Sequence, residues 1–529
     1  MDIQKAVKTY NDRLAGGSLT KTRRKFWFGL GCVIAGAWLV LAWPTSDLWV
    51  NIEIHPLLDL LLAGGAVWGA ITRFRAGQIL YGQHFVSLPG NANESHQRGT
   101  QVYDARVVAQ VLDRSPGDIE IGGVPLPRNV EQQHILVAGA PGSGKSVALK
   151  GIIKTIRDRA NDGAVIHDPS GEFTALFYDQ SRGDLIINPL DARHAPWSLW
   201  TDLMPGEESS LAAAIIPAAE GDNRYFSDAA RATLEVLFQQ TDNVDDLVKI
   251  GLGESLPELV ERIDKAGLGG LVGSAKTFAS VRGNMAPYLR SLALMPPVPR
   301  GEGVSLHEFC ECPAGRFIFL LSSGRTRDTL APIHQLLLNQ IVSVATSLRP
   351  DPARRIWLVL DELPTLLPSP ALATALSQGR KFGLSAVMAL QAMGQMHSRV
   401  GQHESAALLS MPKTRLILRV GDGETAEAMS REIGERHIKR KQVSHTESKG
   451  SAGSAGTSTT WSDVTERAVL ASQIATLTDL QGYLRIEDET MRVALRWTPY
   501  PTVADDYQPV PPRPLPVAPA RAEEATADD

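Results

Sequence analysis

A chain of 529 residues, 43% of them hydrophobic, is too long for one simple domain and long enough to bury a large core. Its formal net charge of −5 does not advertise a polyanion partner, although an acidic average can hide a basic channel. Its three cysteines are Cys32 in an apolar run and Cys310 and Cys312 in "CEC". With no second pair at zinc spacing, they read as buried or incidental thiols and argue against a disulfide scaffold.

Residues 1–25 read as a cytoplasmic segment ending in "KTRRK". The run Phe26 to Trp43 carries no charge and has about the length a bilayer core demands, ~20 residues. Trp27, Trp38 and Trp43 sit near its ends, as interfacial aromatics do. The loop "PTSDLWVNIEIH" holds no Lys or Arg, and a second apolar run ends at Ile71 before "TRFR". Basic residues therefore flank both outer ends, which places both termini in the cytoplasm. Residues 26–75 are expected to form a two-helix transmembrane hairpin. Asp59 in the second run belongs near the outer interface or against a partner helix. A cleaved signal peptide does not fit, because the first run is too long and no small-residue cleavage site precedes a mature domain.

The next signal is "HILVAGAPGSGKS", a short apolar strand feeding a glycine-rich loop and then a helix. Gly139, Ala140, Pro141, Gly142, Ser143, Gly144, Lys145, Ser146 and Val147 form a phosphate loop. Its glycines let successive backbone N–H groups surround phosphates. Lys145 reaches the β- and γ-phosphates, and the Ser146 hydroxyl can ligate Mg²⁺. In "RRIWLVLDELPTL" a strand over 356–360 ends in an acidic pair, Asp361 and Glu362. Asp361 suits the Mg²⁺ role and Glu362 activation of the attacking water. In "KFGLSAVMALQAMGQM" the strand 386–390 ends in Gln391, placed to sense the γ-phosphate or the water. The catalytic set is therefore Lys145, Glu362 and Gln391. Asp168, ending the strand in "AVIHDPSGEF", either supports the metal or caps the following helix. If the motor is a ring, a neighbour must contribute an arginine, and Arg325, Arg380, Arg415 and Arg419 are the candidates.

Strands at 135–138, 164–168, 316–321, 356–360, 386–390 and 415–420 alternate with helical stretches, which predicts an α/β fold with a largely parallel, doubly wound sheet. The sheet is divided between residues 76–196 and 298–498. Between them, residues 197–297 lose all strand signals and show helical spacing of apolar residues, an inserted all-α domain whose ends should lie close together. "HTESKGSAGSAGTSTTW" from His445, behind the basic "RHIKRKQ", reads either as a solvated Ser/Gly/Thr-rich surface loop or as a flexible basic arm that could touch a polyanion. Residues 499–529, rich in Pro and Ala with an acidic end, are expected to be a disordered tail.

The phosphate loop does not stand alone. The N-terminal hairpin pattern, "HDPSGEF", "INPLDARHAPWSLW", "YFSDAARATLEVLF", "LVLDELPTL", "GRKFGLSAVMALQ" and "ERAVLASQIATLTDLQGYLRI" together resemble the type IV coupling proteins, the TraD/TrwB group of membrane-anchored ATPases of bacterial conjugation. The resemblance covers roughly residues 20–498. It implies a RecA-like P-loop NTPase fold and ATP with Mg²⁺ as cofactors. It also implies a homo-hexameric DNA translocase at the bacterial inner membrane. As partners it implies a relaxase bound to single-stranded DNA and the channel components of a type IV secretion system. The short extension after Pro499 departs from members that recruit partners through long acidic tails. Two neighbouring readings use a similar motor: a secretion ATPase that exports protein only, and a double-stranded DNA pump of the chromosome-segregation type. No "LSGGQ"-like signature of an ABC transporter is present.

Overall fold

The computed structural model describes residues 94–516 except 112–114, 116, 220, 269, 271–274, 352 and 448–454. The two apolar runs expected to cross a membrane lie outside the described residues. Among those described, no helix is long and apolar enough to do so.

The strands in chain order are β1 (Glu94–Gly99), β2 (Val102–Asp104), β3 (Ile119–Ile121), β4 (Val124–Leu126), β5 (Ile135–Ala138), β6 (Gly163–Asp168), β7 (Leu185–Ile186) and β8 (Phe317–Leu321). They continue with β9 (Ile356–Leu360), β10 (Leu384–Leu390), β11 (Thr414–Leu418), β12 (Glu435–Glu447), β13 (Ala455–Arg467), β14 (Gln481–Ile486) and β15 (Glu489–Ala494). Ten of these make one sheet in the order β2-β15-β14-β11-β5-β10-β9-β6-β8-β7. Neighbours pair in parallel except around β14, which is antiparallel to both β11 and β15. The central strands "ILVA", "FIFLL" and "IWLVL" are unbroken apolar runs because helices cover both faces. Alternate side chains serve opposite cores: Leu136 and Ala138 join one buried cluster, Ile135 and Val137 the other. The six strands expected from the sequence all form, with ends shifted by no more than two residues.

The order places the site. After β5 the chain crosses by the helix Lys145–Arg157 to β6, three positions away, and β10 later fills the slot between β5 and β9. That helix buries Ala148, Leu149, Ile152, Ile153 and Ile156, a stripe at the 3.6-residue period, against the sheet.

The described residues between 197 and 297 contain no strand and carry helices Glu208–Ile215, Arg224–Gln240, Val244–Val248, Leu256–Lys265 and Ala275–Leu292. Helix Leu256–Lys265 starts on a capping box between Ser255 and Glu258. The two ends of the insertion meet where the Val304 N–H donates to the Pro196 carbonyl at 2.8 Å. Its apolar residues, Phe238 and Phe278 among them, belong to the same contiguous core as Leu358 and Leu384 of the sheet.

Two segments differ from the sequence expectation. The Ser/Gly/Thr-rich stretch is not all loop. β12 and β13 carry it as a two-stranded ladder from Glu435↔Arg467 to Glu447↔Ala455, with β1 on the outer edge of β12. Period-2 alternation there is masked by small polar residues, so composition favours a loop while cross-strand pairing favours a ribbon. The expected disordered tail also does not begin at Pro499. Residues 499–516 run along the body, with Val503 N–H to the Ala175 carbonyl (2.8 Å), Ala192 N–H to the Gln508 carbonyl (2.9 Å) and Val510 N–H to the Leu190 carbonyl (2.9 Å). A Pro-rich chain cannot nucleate its own secondary structure, yet it can satisfy the polar groups of another segment.

Candidate nucleotide site

Every functional residue expected from the sequence at a strand end emerges on one rim. β5, β10, β9, β6 and β8 are consecutive and parallel, and their C-terminal ends deliver Gly139, Gln391, Asp361, Asp168 and the loop containing Arg325. The register aligns Leu390 with Ala138, and Leu360 with both Met388 and His167. Gln391 thus follows the strand between those that end at Gly139 and at the acidic pair.

The loop is built for close approach to a ligand. Gly142 and Gly144 take φ values of 77° and 115°, which L side chains rarely adopt. A Cβ on Gly139 would sit 2.5 Å from Ser143 Oγ. The Gly139 N–H donates to the Leu390 carbonyl (3.0 Å) and the Ala140 N–H to the Arg419 carbonyl (2.7 Å), anchoring the loop to β10 and β11. Gly144 caps helix Lys145–Arg157, whose N-terminus faces the loop cavity with its free N–H groups. Lys145 is 8% exposed, and its Nζ has no hydrogen-bond partner among the described residues. Burial lowers its pKa, and the carboxylates of Asp361 and Glu362 oppose that shift. A buried ammonium under a glycine cradle is a cation waiting for an anion, so these residues fit a nucleotide polyphosphate.

Across the rim, burial pushes the Asp361 carboxyl up to about 6; Lys145 opposes the rise, while Asp168, Glu362 and Glu172 add to it. A carboxyl crowded by like charges gains most from a divalent cation beside it. Glu362 adopts φ 64° and ψ 61°, the left-handed region, an unusual conformation for a residue with a Cβ and a mark of local strain. The Thr365 N–H and hydroxyl both donate to its carbonyl, at 3.0 and 2.8 Å, holding the turn.

Asp168 makes contacts of the helix-capping kind. Its Oδ2 accepts from the Thr174 N–H (2.7 Å) and the Thr174 hydroxyl (2.9 Å), so it secures the start of helix Glu172–Phe177. Fully buried, its pKa is raised by desolvation. The four arginines also separate. Arg415 is buried in β11, donates to the Leu409 and Ser410 carbonyls and pairs with Glu432 at 3.2 Å. Arg419 pairs with Asp479 at 2.7 Å beside the phosphate loop of its own chain. Arg325 and Arg380 are exposed and take part in no ion pair among the described residues. Arg380, in the turn Gly379–Phe382, lies before β10 and therefore at the end of that strand away from Gln391.

Sequence reasoning missed two partners of the acidic pair. Arg327, at the start of helix Arg327–Ser347, pairs with Glu362 Oε2 at 3.4 Å. Its signal was its place in "SSGRTRD" after β8, two residues beyond Arg325. His167 on β6 is fully buried and holds its Nδ1 2.6 Å from the Asp361 carbonyl oxygen. Nothing in the sequence distinguished this histidine from a core residue. Beside the phosphate-loop helix a cavity of about 240 Å³ is lined by Gly122, Gly123, Val147, Gly151, Leu495 and Tyr500, among others.

The model of the type IV secretion-system coupling protein DNA-binding domain matches residues 118–496, most of the described chain. The chain belongs to the type IV coupling protein family. Among curated relatives of this coupling protein, the coupling protein TraD of Escherichia coli (strain K12) is 28% identical over 488 residues. That alignment takes in 89% of this chain but 66% of TraD, so the chain spans just under two thirds of the relative's length. Among solved structures, the unbound conjugative coupling protein TrwBdeltaN70 matches with a TM-score of 0.71 and 25% identity over 80% of this chain and 98% of its own. TrwB with a non-hydrolysable ATP analogue and TrwB with ADP and Mg²⁺ each match at 0.70 and 25% identity, over 80% of this chain and 99% of theirs. The fold is that RecA-like nucleotide-binding fold with a mixed sheet.

Proposed function

We propose that the chain is a membrane-anchored, ATP-driven translocase that couples a relaxase with its single-stranded DNA to a type IV secretion channel in bacterial conjugation. The observation that carries this reading is the buried Lys145 ammonium beneath the glycine cradle, without a hydrogen-bond partner among the described residues and close enough to feel the Asp361 and Glu362 charges. Membership of the coupling protein family supports the biological setting, and the nucleotides named for the TrwB structures support ATP with Mg²⁺.

The residues take these roles. The N–H groups of residues 139–147 and the Lys145 ammonium bind the phosphates. Ser146 and Asp361 hold Mg²⁺, which supplies charge neutralisation on the phosphate oxygens when bound. Glu362 accepts the proton of the attacking water, and Gln391 orients that water or senses the γ-phosphate. The cavity beside Val147 and Gly151 takes the nucleoside. Arg380 is the best-placed of the four arginines to complete a neighbour's site, because it is exposed and distant from its own phosphate loop. Six such subunits around a channel would grip DNA phosphates without sequence preference, a salt-sensitive interaction. The inserted helices, at the cytoplasmic mouth, would take part in DNA recognition. Residues 26–75 anchor the ring in the inner membrane with both termini in the cytoplasm.

The test is ATP hydrolysis by the full-length chain with and without single-stranded DNA at two salt concentrations, alongside transfer assays. DNA-stimulated hydrolysis that fades with salt is expected. Lys145→Ala and Glu362→Gln are expected to lower kcat by ~100-fold or more and to abolish transfer while leaving membrane insertion intact. Wild-type transfer in either variant would sink the motor. Robust basal hydrolysis untouched by DNA at both salts would move the reading to protein-only export.

A further inference from the structure

Among the described residues, the ribbon β12–β13 is an element that the nucleotide site does not use. Each strand has 13 residues, so the ribbon is about 40 Å long. Its base is tied to the body: Arg467 pairs with Glu427 at 3.6 Å and the Ala468 N–H donates to the Gly434 carbonyl at 3.0 Å. An ion-pair cluster of Arg436 and Arg440 with Glu94 and Glu466 clamps β1 and β13 on either side of β12. Beyond Arg440 that clamp ends, and the ribbon exposes an apolar and basic face. Trp461 stands directly across from Lys441, with Trp461 51% and Val443 44% exposed. Because paired residues share a face and the period is two, Lys439, Lys441, Val443 and Trp461 all lie on the same side, with Asp463 across from Lys439.

Strand direction says where this face points. β1 runs antiparallel to β12, with Glu94 opposite Arg440 and Gly99 opposite Arg436. Followed backwards from Glu94, β1 is therefore aimed at the turn end of the ribbon, and the apolar run ending at Ile71 precedes it in sequence. The 22 intervening residues are ample to span the remaining seven rungs, about 23 Å.

We infer that the outer half of the β12–β13 ribbon rests on the anionic headgroup layer of the membrane, with Trp461 and Val443 at the interface and Lys439 and Lys441 on lipid phosphates. This rests on the proposed membrane anchor at 26–75. An exposed Trp gains most at a surface where its ring is half apolar and its N–H stays wet, and flanking lysines reach phosphates while their stems lie along the apolar boundary. The ribbon would then fix the distance and tilt of the motor over the bilayer.

Spin labels test it in the full-length chain, with Cys32, Cys310 and Cys312 replaced by Ala, reconstituted into bilayers with and without phosphatidylglycerol. Labels are placed at Trp461→Cys, at Ser377→Cys as an aqueous control and at Ala35→Cys in the first apolar run. The Trp461→Cys label is expected to show at least a threefold rise in its ratio of oxygen to nickel-chelate accessibility in phosphatidylglycerol bilayers. Lys441→Glu is expected to reverse that rise while ATP hydrolysis stays within twofold. An aqueous label at 461 in both lipids with a lipid-embedded label at 35 overturns the contact and leaves the anchor standing. Aqueous labels at both positions overturn both. A lipid-exposed label at 461 with an aqueous one at 35 supports the contact and removes the anchor. Shielding at 461 from both probes whatever the lipid means a protein contact, and overturns the proposal.

Discussion

Arg327 and Glu362 show how one contact can set the chemistry of a site. Glu362 stands in a left-handed conformation at the end of β9, and Arg327 reaches it from the helix after β8. A partly buried ion pair of this kind is worth about 1 kcal/mol, which corresponds to roughly a fivefold change in rate if it orients the base. Arg327→Ala is expected to lower kcat for ATP by that factor with KM within twofold, and Arg327→Lys to restore part of it. A change confined to KM would mean that Arg327 binds nucleotide rather than positioning Glu362. Buried histidines set a second expectation at this scale. Burial holds His167 and His194 down to about 4 and His334 to about 3. Each is neutral when folded and takes a proton near pH 6.5 when unfolded, so their stability is fully present above that pH and lost as pH falls toward about 4. Asp361, raised to about 6, works the other way, because the folded state binds its proton first and gains stability as pH falls through 6. His134 is lowered as well, and Asp168 and Asp184 are raised like Asp361, so the histidine part is read by difference: His334→Gln is expected to flatten the pH dependence of the unfolding midpoint between pH 6.5 and 4 relative to the parent chain. An identical pH dependence in both proteins would contradict a buried neutral His334.

Among the elements, the C-terminal strap departs furthest from what its composition suggests. A Cβ on Gly171 would meet the Asp506 carbonyl oxygen at 2.7 Å, so the strap lies against the turn that follows β6. Further on, Arg513 pairs with Asp245 of helix Val244–Val248 at 3.1 Å and donates to the Met295 carbonyl. One segment thereby fastens the inserted helices to the sheet domain. Arg513→Ala is expected to cost about 1 kcal/mol, read as a lower urea midpoint, and to speed protease cleavage within residues 197–297. Unchanged cleavage there would show that the strap does not restrain the insertion.

For the whole molecule, the proposed ring makes a demand that no single chain can meet. If Arg380 acts in trans, subunits carrying Lys145→Ala and subunits carrying Arg380→Ala should each be inactive alone. Mixed in equal amounts they should recover hydrolysis at up to about a quarter of the interfaces, where an intact Lys145 meets an intact Arg380. No recovery on mixing, with assembly verified, would remove Arg380 from that role.

By itself the sequence determined the elements whose signals are local. The glycine spacing of 139–144, the apolar strands ending in Asp361, Glu362 and Gln391, and the helical period of the insertion all depend on neighbours a few residues away. Tertiary structure decided what depends on distant partners. It placed β10 between β5 and β9, made Asp168 a helix-start acceptor, and committed Arg415 to a buried pair. It also brought Arg327 to Glu362 across 35 residues, turned a polar loop into a ribbon, and laid the proline-rich tail along the body. The physical reason is common to these cases. An arginine, a serine-rich strand or a proline-rich strap has little intrinsic preference, so its state is set by the charge or unpaired backbone group that the folded chain presents to it.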